Sequence, residues 1–194
     1  MKISIVLPWI RKDKMKRCVR MINKNAGYPI HEILKKEDKK RIGCPKMVKK
    51  LVERSTGDLV CFLGDDTLPQ KDFLKYAVES MKTFPFNWGL VGLNDGTGRI
   101  LPTHWLASKH LLPFLDDEFF HTGYNHCCCD QELLFRCENI QRYVYSQKAI
   151  VLHDHPILKG EATTDKDYLR VYSPEVRGPD QALFKRRSEN GWKT

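Results

Sequence analysis

The segment Gly57-Asp58-Leu59-Val60-Cys61-Phe62-Leu63-Gly64-Asp65-Asp66-Thr67-Leu68-Pro69 is where the fold is decided. Leu59 to Leu63 is a continuous apolar run of strand length, which suits a strand covered on both faces of a sheet. Gly64 ends the run, and the carboxylates of Asp65 and Asp66 follow at its carboxyl end. Pro69 opens the next segment, Lys71 to Phe84. Its apolar residues Phe73, Leu74, Ala77, Val78 and Met81 fall on one helical face. In open α/β sheets, ligands bind beyond the carboxyl ends of the strands. Two adjacent carboxylates there can hold a divalent metal, and a metal can hold a diphosphate. Gly-Asp-Asp is equally ordinary turn chemistry, so this stretch alone leaves both readings open.

Upstream, Ile3 to Pro8 reads as a first strand terminated by proline. Arg11 to Asn25 carries Met15, Cys18, Val19 and Ile22 at helical spacing, and Gly27 closes that helix. His31 to Leu34 is a second strand. Met47, Leu51 and Val52 mark a second helix from about Pro45 to Arg54, with its proline in the first turn. Strand, helix, strand, helix, strand is the signature of a parallel sheet with covering helices.

Downstream the pattern changes. Trp88 to Leu93 reads as a strand that ends in the turn Asn94 to Gly98. Thr103 to Lys109 mixes apolar and polar residues around His104 and Trp105, and Leu111 to Phe120 is partly helical. Asp130 starts a helix marked by Leu133, Leu134 and Cys137. Tyr143 to Leu152 is a strand, with His153-Asp154-His155-Pro156 at its end. From Gly160 onward the chain is polar and basic, and reads as a flap with a short helix near Asp180 to Arg187.

The chain has 194 residues, enough for one sizeable core and too few for two comfortable domains. A single domain is expected: residues 1–66 as a nucleotide-binding half, 67–159 as an acceptor-side half, and 160–194 as the basic flap. The hydrophobic fraction of 41% and charged fraction of 29% are those of a soluble globular protein. No run approaches the ~18 apolar residues of a membrane span. The first residues enter a strand rather than a signal peptide, and the 7 cysteines lack disulfide-framework spacing. A cytoplasmic protein is expected. The net charge of +9 favours anionic company: nucleic acid, a membrane surface or phosphorylated small molecules.

Three features line up: Asp65-Asp66 after the central strand, Asp130-Gln131-Glu132-Leu133-Leu134 at a helix start, and His153-Asp154-His155 after a late strand. In order and spacing the chain from Ile3 to Pro156 resembles the glycosyltransferases of the GT-A fold, close to the large family 2 class. The resemblance implies an α/β fold with a central, mostly parallel sheet flanked by helices. It also implies transfer of a sugar from a nucleoside diphosphate sugar, a UDP-sugar first, to an acceptor hydroxyl. The first strand, with Pro8, leads into the nucleotide pocket. The stretch from Leu63 through Leu74 matches the metal-binding acidic motif, which assigns Asp66, and with it Asp65, to the donor side. His153, with His155 in reserve, would complete the shell of a Mn²⁺ or Mg²⁺ ion. Asp130 would be the base of an inverting reaction, and His104, Trp105, Tyr124 and Asn125 would line the acceptor side. Arg11 and Lys46 are either phosphate contacts or surface cations. Two positions depart from the family pattern: Gly64 and Cys129 stand where acids are usual.

The chemistry is consistent with those roles. A departing diphosphate needs its charge stabilised, and a metal bound by hard carboxylate oxygens does this as a Lewis acid. A carboxylate at a helix N-terminus stays ionised and can take a proton. The run His126-Cys127-Cys128-Cys129-Asp130, with His153 and His155 later, could be read as a zinc site, but adjacent cysteines point in divergent directions and buried free thiols are the expectation. The acceptor is a glycan, a protein or a modified nucleobase. A basic nucleic-acid-binding module and a catalytically silent GT-A relative are the rival readings.

Overall fold

The computed structural model describes residues 1–154 and 166–192. The first half follows the expected alternation: β1 (Ile3–Trp9), α1 (Lys12–Asn25), β2 (Glu32–Glu37), α2 (Cys44–Val52) and β3 (Leu59–Phe62). Then come β4 (Thr67–Pro69), α3 (Phe73–Met81), β5 (Leu90–Asn94), β6 (Trp105–Ser108), α4 (Cys129–Asn139), β7 (Tyr143–His153), α5 (Lys166–Val171) and α6 (Pro174–Glu189). Among the described residues no helix is long and apolar enough to cross a membrane.

Alternation along the strands sorts the core into two faces. Ile3, Ile5 and Leu7 of β1, with Leu59 and Cys61 of β3, pack against Cys18 and Ile22 of α1 and Phe73, Ala77 and Met81 of α3. Val6, Val60 and Phe62 point the other way, to Leu51 of α2 and Leu133 of α4. The result is a sheet between two helical layers.

The strands lie in the order β2-β1-β3-β6-β5-β7-β4. β2, β1 and β3 are parallel, as the alternating first half requires. Polarity reverses at β6, which is antiparallel to both β3 and β5, while β7 runs parallel to β5 and antiparallel to β4. The sheet is therefore more mixed beyond β3 than the first half implies. Because β6 runs backwards, its amino end lies beside the carboxyl ends of β3, β5 and β7. Residues distant in sequence, namely Gly64 to Asp66, Asp95, His104 and His153, are thereby gathered at one edge.

Two strands escaped the sequence reading. β4 is three residues long and includes Pro69, and β6 was hidden in the mixed stretch around His104. The tail also differs from the expected flap with a short helix. α6 runs through 16 residues, and both Asp180 and Arg187 on it are buried. The Arg187 guanidinium donates to both oxygens of Glu132 on α4, at 2.9 and 2.8 Å, and Tyr124 Oη donates to Glu132 Oε2 at 2.7 Å. Asp180 accepts the backbone N–H groups of Asn125, His126 and Cys127 at 2.8, 2.8 and 2.7 Å. The tail is thus fastened to both α4 and the loop before it.

Removing one partner of a buried ion pair leaves the other charge without compensation. Glu132→Ala is expected to destabilise the protein by about 3–5 kcal/mol, measured as a lower urea midpoint. A loss below about 1 kcal/mol, as for an exposed pair, would show that the tail is not held by this contact.

Candidate functional site

The site starts from Asp65 and Asp66, both buried immediately after β3. Their side chains do different work. Asp65 Oδ2 accepts the backbone N–H groups of Ile10 and Arg11, each at 2.9 Å, and Oδ1 accepts Arg11 Nε at 3.1 Å and Arg11 Nη2. Asp65 therefore fixes the turn between β1 and α1, next to Pro8, and aims the Arg11 side chain. Asp66 faces the open edge of the sheet. Its Oδ2 accepts Arg11 Nη2 at 2.8 Å and the Tyr168 hydroxyl, and lies 3.3 Å from His153 Nε2. Burial alone would push the Asp66 carboxyl up, but His153 and Arg11 outweigh it and hold the group well below the usual carboxylate range.

His153 reaches Asp66 through strand register. Thr67 of β4 pairs with His153 of β7, so Asp66 and Asp154 flank that pair, and the Asp154 N–H donates to the Asp66 carbonyl at 2.8 Å. The His153 N–H donates to the carbonyl of Asp95, at 2.9 Å. Burial lowers the His153 pKa, yet the contact with Asp66 leaves it above the ordinary value. Asp154 is held near Arg17 at 3.6 Å and Lys14 at 3.9 Å, on the α1 face nearest the site. His155 lies outside the described residues.

Three of the four residues expected on the acceptor side are buried, His104 among them. His104 is 2% exposed, and its ring meets that of His153 edge-on, with centroids 5.0 Å apart. Among the described residues neither of its ring nitrogens has a hydrogen-bond partner, and burial and His153 push its pKa down to about 3, so the imidazole is neutral. Trp105 is a core residue packed on Phe62, Phe119 and Phe120. Tyr124 is buried in the Glu132–Arg187 network. Asn125 is exposed, and its side chain, like its backbone, turns to Asp180. Lys46 is exposed on α2, and among the described residues it makes no hydrogen bond or ion pair with Asp65 or Asp66. An aromatic ring suits a core or a sugar face equally well, so sequence alone could not place Trp105 or Tyr124.

Asp130 lies partly buried in the first turn of α4, where its Oδ1 accepts the N–H of Gln131 at 3.0 Å. It does not cap the helix, because Cys128 is the N-cap. Burial pushes its carboxyl above the ordinary range, with Asp95 adding to the rise and Arg99 opposing it. Burial raises the Tyr172 pKa, and the charges of Cys127, Asp130 and Asp66 add to the rise. Asp95, Tyr168 and Tyr172 are site residues that the sequence reading missed. The first lies in a stretch whose sequence reads as a turn, and the other two lie in the tail. The cysteine run spreads as adjacent residues must: Cys127 Sγ turns to the Val171 carbonyl and Cys129 Sγ to that of His126.

Asp66 and His153 bring an oxygen and an imidazole nitrogen together, a donor chemistry that fits Mn²⁺ or Mg²⁺. In this arrangement Arg11 and Tyr168 hold the same oxygen. Among the described residues, no three His, Cys, Asp or Glu side chains are already set to hold an ion. Gly64 explains part of the packing here. A Cβ at that position would stand 2.9 Å from Asp66 Oδ1 and 3.3 Å from His104 Cε1. A side chain of any kind is excluded unless those groups move.

No protein-family model matches the chain, and no curated protein matches it by sequence. Solved structures do. A mannosyltransferase from Pyrobaculum calidifontis, in complex with GDP-Man and Mn²⁺, is 12% identical, with a TM-score of 0.69 over 95% of this chain and 64% of its own. A Drosophila β1,4-galactosyltransferase 7, in complex with manganese, UDP-Gal and xylobiose, is 13% identical, with a TM-score of 0.61 over 88% of this chain and 80% of its own. TarS from S. aureus, in complex with UDP, is 15% identical, with a TM-score of 0.60 over 78% of this chain and 60% of its own. The chain thus spans less than two thirds of TarS and of the mannosyltransferase. These likenesses establish the GT-A fold.

Gly64→Asp is expected to damage the site rather than complete it. The new side chain must displace Asp66 and His104, and overpacking of this kind costs about 1–3 kcal/mol. Thermal unfolding is the measurement. Unchanged stability would show that the close approach at residue 64 is not a constraint.

Proposed function

We propose that this chain transfers a sugar from a nucleoside diphosphate sugar to an acceptor hydroxyl, with inversion at the anomeric carbon. The observation that carries the reading is the placement of Asp66 against His153 at the carboxyl edge of a GT-A sheet. The named neighbours bind GDP-Man, UDP or UDP-Gal, which supports a nucleotide sugar as donor. A UDP-sugar is our first choice. The acceptor is a glycan, a protein or a hydroxylated nucleobase.

Asp66 and His153 would hold a divalent cation, which supplies Lewis-acid stabilisation of the departing diphosphate. Asp65 acts at one remove, by orienting Arg11. The Arg11 guanidinium is the nearest fixed positive charge to Asp66 and is suited to a phosphate oxygen. Asp130 takes the proton of the acceptor hydroxyl. Burial raises its pKa, which makes it a better base than an ordinary aspartate.

One observation favours a second reading, that of a silent relative which binds without turnover. Arg11 and Tyr168 already occupy the oxygen of Asp66 that His153 approaches. Turnover with any nucleotide sugar disposes of it.

The first experiment is a thermal-shift screen of nucleoside diphosphates and their sugars, with and without Mn²⁺. A nucleotide that binds the native state raises Tm, by an amount equivalent to about 2.7 kcal/mol at a hundred times its Kd. We expect a Mn²⁺-dependent rise that Asp66→Ala removes. A shift that survives Asp66→Ala would exclude the metal role of Asp66.

Asp130→Asn is expected to keep donor binding and lower kcat by at least about 100-fold, the low end for a general base. In the wild type, kcat should fall on acidification through a pKa above the ordinary aspartate value of about 3.9. That limb should be absent from whatever activity Asp130→Asn retains. Wild-type turnover by Asp130→Asn would rule out this mechanism.

A further inference from the structure

Charge is unevenly placed along this chain. Between residues 11 and 54 there are 16 lysines and arginines against 5 aspartates and glutamates, whereas from 55 to 194 the acids outnumber the bases by 19 to 16. Such an asymmetry points to an anionic partner for the basic part. Its densest element is α1, which carries six cations and a single acid, Asp13. Met15, Cys18 and Ile22 bury one side of this helix. On its outer side Lys12, Lys16, Arg20 and Lys24 follow one another at four-residue intervals, and all four are exposed. They form one ridge, with steps of about 6 Å and a length of about 18 Å.

The fold does not account for this ridge. Like charges four residues apart destabilise a helix, and here three such pairs come in succession. Among the described residues, the ion pairs made by α1 and its cap are those of Arg11, Lys14 and Arg17, and the ridge cations are in none of them. A nucleoside diphosphate held at Asp66 and Arg11 would explain cations at the amino end of α1. It would not explain Arg20 and Lys24, about 12 and 18 Å beyond Lys12 along the axis.

We propose that the outer ridge of α1 is a nucleic-acid-binding surface, on which Lys12, Lys16, Arg20 and Lys24 follow the phosphates of a single strand. The ridge begins beside Arg11, which Asp65 fixes at the site edge, so a strand lying on it runs up to the site. No large apolar side chain is exposed on α1, because its apolar residues are in the core. A helix that lies on a lipid surface needs an apolar face turned outward. Binding to a phosphate backbone is carried instead by cations and the release of counterions. The surface selects the nucleobase among the acceptors of the proposed transfer, and in that respect it rests on the transferase reading. Strand binding itself does not.

The test is fluorescence anisotropy of a labelled single-stranded DNA oligonucleotide with the full chain, across a range of salt and without metal or nucleotide. Wild type is compared with a ridge variant, Lys12→Gln, Lys16→Gln, Arg20→Gln and Lys24→Gln combined. A control variant removes equal charge from exposed positions elsewhere, as Lys82→Gln, Lys148→Gln, Lys185→Gln and Arg186→Gln. Each phosphate contact on a single strand contributes about −0.7 to the slope of log affinity against log salt. The ridge variant should therefore have a slope shallower by about 3, and bind at least about tenfold more weakly at low salt. Its Tm should hold or rise, since glutamine suits a helix and the repulsion is gone. The control variant should bind as wild type does. An unchanged slope in the ridge variant, or an equal loss in both variants, would overturn the assignment. Tighter binding to phosphatidylserine vesicles than to the oligonucleotide at the same salt would overturn it in favour of a lipid surface. Asp66→Ala should keep strand binding while it loses the Mn²⁺-dependent nucleotide shift. If the strand binds through the ridge but no nucleotide sugar binds at all, the transferase reading falls and the ridge stands.

Discussion

The site depends on the way Asp65 joins two strand ends. Its carboxylate receives two backbone N–H groups from the turn after β1 and also the side chain of Arg11. A buried carboxylate is tolerated only when it is paired and hydrogen-bonded, and here the scaffold meets that requirement. The clamp fixes where α1 begins, and so where Arg11, Lys14 and Arg17 lie relative to the sheet edge. It also releases Asp66 from any scaffold duty. Two adjacent aspartates of identical chemistry are divided into one that builds and one that faces outward.

The reversal at β6 matters as much as the clamp. A wholly parallel sheet would send the amino end of every strand to the far side. The backward strand places His104 among the carboxyl ends of its neighbours, and the β4–β7 register sets His153 against Asp66. The tail then reaches over both regions. Tyr168 meets Asp66 and Arg187 meets Glu132, so one C-terminal segment touches both the carboxylate at the sheet edge and the helix that carries Asp130.

Legibility in the sequence followed burial and locality. β1, β3 and their helices were readable because buried parallel strands form continuous apolar runs and each covering helix shows its own period. β4 and β6 were not, since a three-residue strand has no period and β6 sits beside polar neighbours. Asp66 and His153 were legible as strand-end residues, and the β4–β7 register brings them together. The position of His104 depends on which strand β6 joins and in which direction, and no local pattern records that. Asp65 could not be separated from Asp66 by type. Tyr168 sits 102 residues from Asp66 in the chain, and only the folded tail brings them together.

The contact between Asp180 and three successive backbone N–H groups has a consequence for recognition. The loop from Asn125 to Cys127 leads directly into the helix that carries Asp130, and a single buried carboxylate gathers its amides. Ordering a loose loop on binding consumes affinity, and a loop ordered in advance does not. The chain leading to Asp130 is therefore ordered before anything binds beside it. A molecule that docked there would meet a surface set in advance, and would have to match its shape.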